Sequence, residues 1–102
     1  ETFAKVVKDH GRVDACFANA GVASAHSRFI DMPEEVWRRT MAVNLDGAVY
    51  SLQAAARHMV QRAENGDPGG RLGGTPSWGA ISGMAYARAY TSTTEWFRLR
   101  FR

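Results

Sequence analysis

Apolar residues recur along this chain with several periods, and the period changes wherever glycine, proline or asparagine interrupts. Phe3, Val6 and Val7 fall at helical spacing and Gly11 follows as a natural stop, so a helix is predicted to end there. In "VDACFANAG", Val13, Ala15, Cys16, Phe17 and Ala18 form a nearly continuous apolar run. A strand buried on both faces, as in a parallel sheet, has this pattern. Asn19 to Gly21 would be the turn leaving its carboxyl end, and its glycine reads as a residue needing permissive backbone angles.

"VASAHSRFID" is loop-like, and a helix start follows it. Asp31 can cap, Glu34 stands at the capping-box spacing, and Pro33 suits a first turn. Val36, Trp37, Thr40, Met41 and Val43 continue at helical spacing. The strongest periodic signal is Leu45, Ala48, Val49, Leu52, Ala55, Ala56, Met59 and Val60, a broad apolar stripe that predicts a second, longer helix. "ENGDPGG" breaks it. "RLGGTPSWGAISG" occupies the next strand position but makes a poor strand, because Gly73 and Gly74 offer no side chain and Pro76 no ladder donor. From Met84 onward the pattern dissolves, and "EWFRLRFR" alternates with a period of two, as a short edge strand or a frayed end would. The order helix, strand, helix, helix, strand, with crossovers long enough for parallel pairing, predicts an α/β fold.

Composition narrows this further. The 102 residues, 45% hydrophobic and 23% charged, suit at most one small globular domain spanning 1–102. The net charge of +3 comes from Arg98, Arg100 and Arg102; the rest of the chain is neutral and carries no nucleic-acid footprint. Cys16 is the only cysteine, so no intrachain disulfide can form, which fits a reducing compartment and an inert buried thiol. No apolar run is long enough for a membrane span. The start "ETFAKVVKDHGR" lacks the apolar stretch of a signal peptide and has no initiator Met, so a cytoplasmic chain cut from something longer is expected. His10, His26 and His58 have no metal-ligand spacing with each other or with Cys16, so they are expected to be solvated or packing residues and no metal site is expected.

In open α/β sheets ligands bind beyond the carboxyl ends of the strands. Asn19, Ala20 and Gly21 follow the first strand, Ser77 ends the second, Tyr90 lies thirteen residues beyond Ser77, and Asn44 sits in "MAVNLDG". A tyrosine and a serine can hold one carbonyl or alcohol oxygen while a hydride moves to or from a cofactor, and an asparagine can order a relay water. Asn44 can equally be a helix cap or a buried amide bonded to backbone.

"GRVDACFANAG", "MAVNLDGAVYSLQAAARHM" and "GGRL..T.S" with its distant Tyr resemble the middle of a short-chain dehydrogenase/reductase, over roughly residues 1 to 90. The resemblance implies a partial Rossmann-type, doubly wound parallel sheet with flanking helices. It implies an NAD(P)-dependent oxidoreductase that interconverts an alcohol and a ketone by hydride transfer, with NAD or NADP as cofactor. Tyr90 matches the family's general acid or base, Ser77 its orienting hydroxyl and Asn44 its catalytic Asn. Asn19, Ala20 and Gly21 match its turn beside the cofactor, with Ala18 where a second Asn is common. A small alcohol or ketone substrate, a homo-oligomeric parent enzyme, and no nucleic-acid or membrane partner are implied too. Three departures stand out. Thr94 occupies the place of the lysine four residues after the tyrosine, and the glycine-rich cofactor turn and the later strands are missing from the chain. They leave open an alternative, a catalytically inactive fragment that at most associates through its long helix. A third reading, a basic-tailed binder of nucleic acid or membrane, rests on the last five residues alone.

Overall fold

In the computed structural model, residues 2–23 and 27–76 are described. Their elements are α1 (Thr2–His10), β1 (Ala15–Ala18), a 3₁₀ turn (Phe29–Asp31), α2 (Glu34–Met41), a π-helical turn (Ala42–Asp46), α3 (Gly47–Glu64) and β2 (Arg71–Gly74). Gly11, at φ 81°, ends α1 in the left-handed conformation that glycine tolerates, as its place in the sequence predicts.

β1 and β2 pair in parallel, with Ala15 opposite Arg71 and Ala18 opposite Gly74. The strand expected over "RLGG" thus forms, short and mostly exposed, and its glycine has a packing role that the sequence did not show. A Cβ on Gly73 would stand 2.7 Å from Cδ1 of Phe17, so the bare glycine leaves room for that ring across the strand pair. The expectation for β1 is corrected. Cys16 turns toward α3, its thiol 3.8 Å from the Ser51 carbonyl, while Phe17 on the opposite face is 67% exposed. Among the described residues only the α3 face of the strand is covered, because no described element lies over Phe17.

The two predicted helices are continuous. Ala42, Asp46 and Gly47 all keep right-handed helical angles, so the chain does not leave the helix between Glu34 and Glu64. Thr40, Asn44, Ala48 and Leu52 are buried at successive four-residue steps. On a uniform α-helix each such step overshoots a full turn by about 40°, and the stripe would drift off its partner. The wider π turn, whose Gly47 N–H bonds back to the Ala42 carbonyl, absorbs that drift in place of a loop.

The start of α2 departs from the predicted capping box. Pro33 holds the N-cap position without a side-chain bond, while Asp31 ends the 3₁₀ turn and pairs with Arg28 at 2.6 Å. Glu34 and Glu35 in the first turn complement the helix dipole instead. Ala48, Leu52 and Ala55 form the buried apolar core among the described residues, and Ala55 has no exposure at all. Two alanines on this face let α3 approach the sheet closely.

Candidate active site

Asn44 lies in the π turn, and its side chain is 5% exposed. The Val22 N–H donates to its Oδ1 at 2.7 Å, and its Nδ2 donates to the Val22 carbonyl at 2.9 Å. Of the roles left open by the sequence, the structure thus shows a buried amide bonded to backbone. One side chain satisfies both polar groups of a residue that lies outside any strand, where they would otherwise be desolvated without partners. The consequence for the site is geometric. The segment leaving β1 is locked to the kink of the long helix, so Asn19–Gly21 and Asn44 share one edge of the sheet.

Gly21 meets this kink directly. A Cβ there would stand 3.4 Å from Asn44 Oδ1, at the near limit of ordinary contact. Among the described residues positive φ occurs at Gly11, Gly66, Gly69 and Gly70, so the permissive-angle reading of Gly21 gives way to one of close approach. Asn19 and Ala20 are exposed. With Phe17, Ala18, Val43, Gly47, Ala48 and Ser51 they line a cleft of about 300 Å³ beyond the carboxyl end of β1. Small side chains on both walls leave the opening, and Asn19 supplies an amide at its rim. These residues fit a border for one end of an extended ligand such as a dinucleotide, at the place where open α/β sheets bind them. Ser77, Tyr90 and Thr94 lie outside the described residues.

The opposite end of β1 is also held by the long helix. His58 Nε2 accepts from the Val13 N–H at 3.2 Å, and Arg62 Nη1 donates to the Val13 carbonyl at 3.1 Å. Their spacing of four residues places both on one face of α3. Arg62 is only 10% exposed and sits between Asp14, at 3.3 Å, and Asp67, at 2.9 Å. Arg12 closes the ring of charges with bonds to Asp14 and a pair to Asp67 at 3.2 Å. The hydrogen bond from Arg12 holds the Asp14 carboxyl below its ordinary range, and the bond from Arg62 does the same for Asp67. The Asp14 carboxylate in turn raises the Arg12 guanidinium. Sequence reasoning leaves His58 either solvated or packing, and the Phe3 ring stands edge-on to it at 6.0 Å. It misses the bond to Val13, for which the i, i+4 pair His58 and Arg62 was the available signal.

Comparison with known proteins agrees with this architecture. The family model described as enoyl-(acyl carrier protein) reductase matches residues 1–93. The chain is 41% identical over 90 residues to L-rhamnose 1-dehydrogenase (NAD(P)(+)) of Sphingomonas sp., covering 88% of this chain and 34% of that protein. It is 39% identical over 90 residues to the Azotobacter vinelandii enzyme of the same name, covering 88% of this chain and 33% of that protein. Among solved structures, acetoin dehydrogenase YohF from Salmonella typhimurium superposes with a TM-score of 0.83 at 35% identity, over 94% of this chain and 36% of that one. NAD+-bound xylitol dehydrogenase superposes with a TM-score of 0.82 at 30% identity, over 92% of this chain and 34% of that one. The chain therefore spans about a third of the length of the relatives it matches. With a parallel strand pair, a helix kinked at Asn44, and a family match over most of its length, this chain belongs to the short-chain dehydrogenase/reductase family.

Proposed function

We propose that this chain carries the central part of an NAD(P)-dependent oxidoreductase that interconverts a small alcohol and a ketone. The observation that carries the reading is the junction of Asn44 with Val22, which sets the kinked helix against the turn Asn19–Gly21 beside an open cleft. The names of the relatives, dehydrogenases of a sugar, a polyol and acetoin, support a small hydroxylated substrate.

Asn19, Ala20 and Gly21 would border the cofactor, which supplies or accepts the hydride when bound. Asn44 holds the turn and the helix kink in register, and in the proposed reaction it organises a proton relay from that position. Ser77 would orient the substrate oxygen. Tyr90 would give its phenolic proton to that oxygen in ketone reduction and take it back in alcohol oxidation. The outward face of α3, where Tyr50 is 67% and Val60 56% exposed, suits association with a second copy of the enzyme.

Thr94 favours a second reading. A threonine cannot supply the positive charge that would pull a tyrosine down from its ordinary pKa of about 10, and without it the chain would bind and associate but not turn over. One experiment separates the two. The chain is titrated with NADH and NADPH by cofactor fluorescence, then assayed for oxidation of small alcohols, alone and as Thr94→Lys. Saturable binding with turnover that rises in T94K supports the first reading. Binding without turnover in both forms supports the second, and no binding of either nucleotide rejects the cofactor role of Asn19–Gly21.

A further inference from the structure

The long helix grips the chain through β1 at two points, and the grips differ in kind. At the carboxyl end an amide, Asn44, takes both backbone groups of Val22. At the amino end His58 and Arg62 divide the two groups of Val13. An amide does not titrate in the physiological range. An imidazole does.

We propose that the His58–Val13 bond is a proton-sensitive latch: protonation of His58 frees the Val13 N–H from α3, leaving Arg62 on the Val13 carbonyl as the remaining hold at the amino end, while the carboxyl end stays held by Asn44. The backbone N–H of Val13 can only donate, so the bond exists only while Nε2 carries a lone pair. An imidazolium has N–H groups on both ring nitrogens and nothing to accept with. Protonation therefore removes the bond outright.

Among the described residues no carboxylate is hydrogen-bonded or ion-paired with His58. From α1 the group against His58 is the Phe3 ring, an edge-on contact without charge. The other ionisable groups of α1 are Lys5, Lys8, Asp9 and His10, and Lys5 and Asp9 are already paired with each other. At the entry to β1 stand Arg12 and Asp14, on α3 Arg57, Arg62 and, at its last residue, Glu64, and beyond it Asp67. Both nearby carboxylates, Asp14 and Asp67, are shared between Arg12 and Arg62. A third cation would thus sit one helical turn from a guanidinium whose counter-charges are taken. The freed stretch is short. Asp14 remains tied through its carbonyl to the Arg71 N–H at 2.9 Å, so opening is confined to the residues before it.

The test follows individual amides of the 102-residue chain by NMR from pH 8 to pH 5, with the His58 ring nitrogens reporting its protonation. As His58 gains its proton, the hydrogen-exchange protection of the Val13 amide is expected to drop about fivefold to tenfold, the worth of one net hydrogen bond. Protection of the Val22 amide stays level across the same range. In His58→Gln an amide oxygen takes the acceptor's place without titrating, and the pH dependence at Val13 disappears. The latch is overturned if Val13 protection stays level while the ring protonates, if Val13 and Val22 lose protection together, or if H58Q keeps the wild-type pH dependence. The wild-type measurement decides the matter even where the variant fails to fold.

Discussion

The two ends of the β1 segment solve the same problem with opposite chemistry. At each end a backbone N–H and C=O lie just outside the strand ladder and need partners. At the carboxyl end one buried, neutral Asn44 supplies both, from a helical turn that opens by one residue to place it. At the amino end two side chains reach over from a regular α-helix, and one of them is a cation, itself 10% exposed, whose carboxylate partners are exposed. The neutral grip is compact and indifferent to salt and pH. The ionic grip is spread out, solvated and responsive to both. The candidate site borders the neutral grip, where invariance of geometry would matter most to the proposed reaction.

The comparison can be broken by removing one grip at a time. Asn44→Ala orphans both polar groups of Val22, and unfolding by urea should show a loss of about 2–5 kcal/mol. Leu52→Ala cuts the apolar contact between the two grips; the same measurement should show about 2–4 kcal/mol, independent of salt. Arg62→Ala removes the bond to the Val13 carbonyl and the centre of the ring of charges. Its expected loss is smaller, about 1–3 kcal/mol, and should shrink further in high salt. A larger loss for R62A than for N44A would reverse the ranking of the two ends.

Acid sharpens the same contrast. Asp14 and Asp67 titrate below their ordinary range in the folded chain, because Arg12 and Arg62 hold them ionised. A carboxyl with a depressed folded pKa contributes stability above its unfolded pKa and loses it as pH falls through the folded value. The chain should therefore lose stability below about pH 4, read as a falling Tm, and Asp14→Asn with Asp67→Asn should flatten that limb while N44A leaves it in place. The smallest effect belongs to Gly21→Ala. The added methyl would meet Asn44 Oδ1 at 3.4 Å, a contact that a slight shift relieves, so the Tm should move by no more than a few degrees.

Much of this was legible in the residues. The stop of α1 at Gly11, the apolar run of β1 and the stripe of α3 each follow from one local period, and local periods survive in sequence. The family resemblance likewise rested on short stretches that each fold locally. What was misread depended on partners far along the chain. Gly73 reads only as a weakness of the strand until Phe17 is seen to fill the space over it, fifty-six residues away in sequence. β1 reads as buried on both faces because apolar residues occupy both, yet burial is decided by what lies above each face. Asp31 has the spacing of a capping residue, but Arg28 claims it.

Asn44 shows where the boundary falls. Its place in "MAVNLDG" marks it as a candidate, and sequence carries the matter that far. Only the assembled molecule showed the amide's contacts, because the partner is the backbone of Val22 and backbone groups are the same in every residue. Periodicity, turn chemistry and family motif are properties of neighbouring side chains, and the amino-acid order alone determined them. Register, one-sided burial and the two grips on β1 are properties of backbone brought close by folding, and tertiary structure alone decided those.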